Sequence, residues 1–95
     1  MSIASWSVSF PPDPPWRVEV SPRVKKRIAR IPERERILTA ILALREGPTA
    51  GDTKTLHGRP EWRLRVGRWR VLLRIDREAR VIWATAAGPR GDIYK

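Results

Sequence analysis

The chain has 95 residues, enough for one domain with a modest core and too few for two. Twenty Lys and Arg against ten Asp and Glu leave a formal charge of +10 and a pI near 11.5, which points to a polyanionic partner: nucleic acid, an acidic protein or an anionic membrane surface. The lack of cysteine excludes a disulfide framework and thiolate chemistry. No apolar run approaches the roughly 20 residues that a bilayer span needs, so a membrane partner is not expected.

Residues 1–15 read as an N-terminal extension to a domain at 16–95. Pro11 to Pro15 (PPDPP) favours an extended, polyproline-like path and cannot enter a helix or a central strand. Before it, Trp6, Val8 and Phe10 alternate with serines, which is strand-like over five residues. The stretch is read as a tail, with an added edge strand as the alternative. It lacks the charged start and apolar stretch of a secretory leader, so the cytoplasm is the expected compartment.

Trp16, Val18 and Val20 alternate with Arg17 and Glu19 and predict a half-buried strand. Ser21 and Pro22 then supply an N-cap and a first helical residue. Val24, Ile28 and Ile31 line one face of that helix, while Lys25, Lys26, Arg27 and Arg30 cover the remainder. Pro32 stops it and opens a second helix, with Glu33 and Glu35 suited to the first-turn dipole. Ile37, Leu38, Ile41, Leu42 and Leu44 form the expected buried stripe, and Gly47-Pro48 ends the helix. The two helices make an antiparallel hairpin, and residues 48–60 are expected to be loop.

Three strands follow, at 61–66, 69–75 and 80–87, the first two joined by Gly67-Arg68 as a two-residue turn. The third is apolar on both faces, which suits the interior of a sheet. Gly88, Pro89 and Gly91 give the terminal segment GPRGDIYK its turn chemistry. The expected fold is α+β, an antiparallel sheet with a helical hairpin packed on one face.

The hairpin WRLRVGRWRVLLRID carries the functional signal. A turn at Gly67-Arg68 pairs Val66 with Trp69, Leu64 with Val71 and Trp62 with Leu73, all on the face beneath the helices. Arg65 then stands opposite Arg70, and Arg63 and Arg74 share that outer face. Like charges opposed across an antiparallel pair cost roughly 0.2–1 kcal/mol. Arginines snorkelling over apolar rims explain one or two such positions, not a directly opposed pair. From Lys54 to Lys95 there are eleven Lys and Arg and four Asp and Glu. Phosphate is the ligand that planar guanidinium forks match best, so the face is read as phosphate-binding. Arg90 and Tyr94 could fold back over it, one toward a phosphate oxygen and one to stack on a base.

This hairpin, preceded by TKTLHGRPE and a short helical pair and followed by GPRGDIYK, resembles the RelE/ParE superfamily of bacterial type II toxins. The resemblance covers about residues 16–95. It implies a small α+β toxin neutralised by a cognate antitoxin, with DNA contacted only through the antitoxin complex. In the RelE branch it implies an endoribonuclease that cleaves mRNA in the ribosomal A site. That cleavage uses 2′-hydroxyl attack and no metal or other cofactor. In the ParE branch a similar fold poisons DNA gyrase.

Carried over by position, the resemblance implies Arg65, Arg70, Arg90 and Tyr94 as catalytic residues. Lys54, Arg63, Arg68 and Arg74 are the expected substrate contacts. One departure stands out, because the best-known RelE pattern has lysines where this chain has Arg63 and Arg65. Arginine stays protonated and cannot easily serve as a base, which leaves Lys54, His57, Tyr94 or no base at all, the last implying a slow or strictly ribosome-dependent enzyme. Short helices and Tyr94 favour the RelE branch. The alternatives are a gyrase inhibitor and a catalytically inactive basic protein that only binds its antitoxin or nucleic acid.

Overall fold

A computed structural model of the chain describes residues 15–89. The expectations for Trp6, Val8, Phe10, Arg90, Gly91 and Tyr94 lie outside the described residues. Strand β1 (Arg17–Val20) leads into helices α1 (Pro22–Ala29) and α2 (Arg34–Ala43), and a 3₁₀ turn at Leu44–Glu46 follows. The remaining strands are β2 (Thr53–Thr55), β3 (Trp62–Val66), β4 (Trp69–Asp76) and β5 (Val81–Pro89). They form one five-stranded sheet in the order β1-β5-β4-β3-β2.

Local signals place these elements well. The Ser21 hydroxyl accepts the Val24 N–H at 3.2 Å, with Pro22 in the first turn where its missing N–H costs nothing. Gly47 ends the 3₁₀ turn at φ 139°, a conformation that side chains disfavour. Gly67 has φ 60° at the first central position of the β3–β4 turn, as a Gly-X hairpin requires. The helices cover one face of the sheet. Val24, Ile28, Ile31, Ile37, Ile41 and Leu44 meet Leu64, Val66, Val71, Leu73, Ile82 and Ala84 in one buried cluster.

Four expectations are corrected. The sheet is mixed, not antiparallel throughout, because β1 runs parallel to β5. A period-two pattern is the same in either direction, so alternation alone left this open. Part of the expected loop forms β2, which pairs with β3 at the sheet edge; three residues are too few to show alternation. The last strand continues to Pro89, so Gly88 and Pro89 pair with Arg70 and Trp69 instead of making a turn. β1 reaches only Ala84 of β5, so among the described residues Pro89 has no neighbour strand on its other side, where a proline is tolerated. Finally, Leu38 and Leu42 are 38% and 56% exposed. Ile37, Ile41 and Leu44 already fill the stripe that meets the sheet, and the helical layer is one helix thick.

A β-bulge shapes the face opposite the helices. Leu72 pairs with Ala86 but Leu73 pairs with Ala84, leaving Thr85 as the extra residue. The Thr85 hydroxyl donates to the Leu72 carbonyl at 3.3 Å. The extra residue resets the alternation, so Ala84 and Ala87 both lie on the helix side and Gly88 arrives beside Arg70.

Candidate nucleic-acid interface

The face of the sheet turned away from the helices is built as cross-strand rows. In the first, Arg65 of β3 stands directly opposite Arg70 of β4, as the spacing predicts, and Gly88 of β5 follows. The two guanidinium groups take different partners. Arg65 is exposed and its Nε lies 2.8 Å from Asp52 Oδ2, while its backbone N–H donates to the Asp52 carbonyl at 2.9 Å. Arg70 is only 8% exposed, and its Nη1 donates to the carbonyls of Gly67 and Trp69, each at 3.0 Å. One arginine is held by a carboxylate and the other by the turn.

Asp52 registers this basic field. The Arg65 hydrogen bond holds its carboxyl below the ordinary carboxylate range. Desolvation opposes the shift, and the charges of Arg65, Arg63 and Arg70 add to it.

The second row is Lys54, Arg63, Leu72 and Ala86. Lys54 is exposed at the sheet edge. Arg63 is half-buried, and its Nε is buried with no hydrogen-bond partner among the described residues. A buried donor without an acceptor costs free energy, commonly about 1–3 kcal/mol, and a bound phosphate oxygen would supply the acceptor. The third row joins Arg74 to Trp83 of β5 and Glu19 of β1.

Arg68 is placed differently. It sits at the hairpin tip, 5.3 Å over the Trp69 ring, with Nε 3.8 Å from Glu33 at the start of α2. His57 lies exposed in the turn between β2 and β3. The structure thus brings Lys54, Arg63, Arg65, Arg70 and Arg74 onto one face and sets Arg68 at its end. Arg90 and Tyr94 fall beyond the described residues, Arg90 being next in sequence to Pro89.

Sequence reasoning missed two residues here. Asp52 lies outside any periodic segment, and only the pairing of β2 with β3 brings it to Arg65. Trp83 is visible in RVIWATAA, whose strand lies in the interior of the sheet as expected, but apolar residues on both of its faces give no sign of which side the tryptophan takes. It is 38% exposed on the arginine side.

The arrangement has relatives of known structure. The chain superposes on the archaeal RelE–RelB complex from Pyrococcus horikoshii OT3 with a TM-score of 0.70 and 26% identity, over 82% of this chain and 98% of that one. The Mycobacterium tuberculosis toxin–antitoxin complex RelBE2 gives 0.60 and 24%, over 80% and 99% of the two chains. The isolated Escherichia coli RelE toxin gives 0.64 and 15%, over 83% and 90%. The fold is that of a RelE-type toxin. Residues 18–94 match the family described as ParE toxin of type II toxin-antitoxin system, parDE. The chain therefore belongs to this toxin family, within the RelE/ParE superfamily. No curated protein sequence matches it significantly.

Proposed function

We propose that this toxin is a ribosome-dependent endoribonuclease, and that the arginine face holds the scissile phosphate of mRNA. The observation that carries the reading is the opposed Arg65–Arg70 pair beside Arg63, whose buried Nε has no partner among the described residues. An incoming phosphate would displace Asp52 from Arg65 and give Arg63 its acceptor. Paired forks of this kind stabilise the extra negative charge of a pentacovalent phosphorane.

In the reaction, the ribose 2′-oxygen attacks the adjacent phosphorus and the bond to the 5′-oxygen breaks. The products are a 2′,3′-cyclic phosphate and a 5′-hydroxyl. The 2′-proton must pass to a base and a proton must reach the leaving oxygen. Lys54 is the candidate base, because it shares a row with Arg63 and the arginines cannot give up a proton. Arg90 and Tyr94 complete the proposal as a phosphate contact and a base-stacking group.

The partner is a cognate antitoxin with an acidic, amphipathic segment. A groove of about 710 Å³ between α2 and β3 suits such a segment. Ala40, Ala43, Gly51, Leu64 and Val66 give it an apolar floor, and Arg36 and Arg65 stand on its rim beside Glu35 and Asp52. Among the described residues, no helix is long and apolar enough to cross a membrane.

Gyrase inhibition is the second reading, favoured by the match to the ParE family. The helices favour the first: α1 has eight residues and α2 ten, whereas the ParE branch tends to longer helical pairs. Primer extension on mRNA from programmed ribosomes, run beside a gyrase supercoiling assay, separates the two. Codon-phased cuts with unimpaired supercoiling are expected.

A further inference from the structure

Three features around the third row of the basic face play no part in the phosphate site proposed above. The first is Trp83, 38% exposed on the interior strand β5. Trp16, Trp62 and Trp69 instead pack against the helix-side core. Trp83 is therefore the one tryptophan among the described residues whose strand position faces the arginine side. The second is Arg74, paired with Trp83 across β4 and β5. The third is an open hollow of about 570 Å³, lined by Arg74, Asp76, Arg77, Trp83 and Pro60 among others.

The charge in this hollow differs from that around Arg65. Asp76 and Glu78 line it, and Glu19 pairs with Trp83 from the other side. Asp76 Oδ1 accepts the Ala79 N–H at 2.9 Å, and Arg77 lies 5.7 Å over the Trp62 ring. Arg74 and Arg77 are both exposed there without an acidic partner among the described residues, and Arg77 is turned over Trp62. Carboxylates repel a phosphate, but they accept hydrogen bonds from the amino edge of a base. An indole flanked by both cations and carboxylates suits a whole nucleotide, base and phosphate together, better than a phosphate alone.

We propose that Trp83 is the stacking platform of a nucleobase subsite. Arg74 neutralises the phosphate of the stacked nucleotide, and the second carboxylate oxygen of Asp76 faces the base edge. The inference rests on the reading of this face as an RNA surface. Arg74 lies four residues along β4 from Arg70, about 13 Å at strand spacing. A single strand held at Arg65 and Arg70 would reach Trp83 within a few nucleotides. The subsite would therefore bind a base some distance from the scissile bond and set which sequences are held.

The test is equilibrium binding of a fluorescein-labelled, 2′-O-methylated single-stranded RNA hexamer, which cannot undergo 2′-attack. Trp83→Ala should weaken binding by about tenfold or more, the usual loss for one stacked base. Trp83→Phe should recover most of the loss, and Trp83→Leu should not, because leucine offers apolar bulk without a π-face. That comparison holds even if the alanine variant folds poorly. Equal affinity in the Phe and Leu variants would overturn the subsite. If Arg65→Ala weakens binding while all three Trp83 variants match the wild type, the subsite fails and the RNA reading stands. Undetectable binding by the wild type overturns the subsite, while cleavage on programmed ribosomes decides the RNA reading separately.

Discussion

The two faces of the β3–β4 hairpin are made from alternate residues of the same strands, yet they obey different rules. On the helix side, Leu64, Val66, Val71 and Leu73 are each 5% exposed or less and meet one apolar cluster. On the other side, Arg63, Arg65, Arg70 and Arg74 crowd like charges together and leave a buried donor without a partner among the described residues. The inner face minimises free energy by excluding water. On the proposed function, the outer face gives up some stability to hold groups in readiness for an anion. A period of two lets one hairpin do both, so substitutions on the two faces should separate stability from activity.

The largest effect should come from the inner face. Leu73→Ala removes a fully buried side chain at the centre of the sheet, a change that typically costs about 2–5 kcal/mol. Chemical denaturation should show a matching fall in the unfolding midpoint. An intact midpoint would mean that the helices do not depend on this face.

Arg65→Ala should instead lower single-turnover cleavage by about 10²–10³ with little change in denaturation midpoint, since its ion pair is exposed. Arg70→Ala should lower cleavage by a similar factor, about 10²–10³, but also cost stability. Removing a like charge would favour the fold on Coulomb grounds alone. The two hydrogen bonds from Arg70 to the Gly67 and Trp69 carbonyls reverse that expectation.

Asp52→Asn sharpens the contrast at smaller scale. It removes the carboxylate that competes with phosphate for Arg65, so RNA affinity should rise a few-fold. The dependence of log affinity on log salt should steepen by about 0.7 for one added single-strand phosphate contact. An unchanged slope would mean that Asp52 does not occupy the phosphate position.

The smallest effect is in pH. The lowered pKa of Asp52 means that the folded chain takes up this proton less readily than the unfolded chain. Its stabilising contribution is complete above the ordinary aspartate value of 3.8 and is lost as pH falls through the lowered one. NMR titration of the Asp52 carboxyl should give a lower midpoint in the wild type than in Arg65→Gln. Equal midpoints would break the assigned cause.

Much of this contrast was legible in the amino-acid order. Gly67 fixed the turn, and alternation then dictated that Arg65 meet Arg70. Ser21, Pro22 and Gly47 marked helix ends through local backbone chemistry. What local chemistry could not supply was long-range. The parallel pairing of β1 with β5 depends on which edge remains free, and alternation is blind to direction. Asp52 reaches Arg65 only through β2, a strand too short to leave a pattern. The bulge at Thr85, which carries Gly88 to Arg70, exists only in the match between two strands. Leu38 and Leu42 have helical spacing but, among the described residues, no second layer to cover them.

The most direct test of the account is single-turnover cleavage of mRNA on programmed ribosomes by the wild type and Arg65→Ala, each first shown to unfold at the same denaturant midpoint. The account predicts cuts at the A-site codon by the wild type and a rate about 10²–10³ lower in the variant. Full cleavage by the variant, or intact mRNA where gyrase supercoiling is blocked, would contradict it.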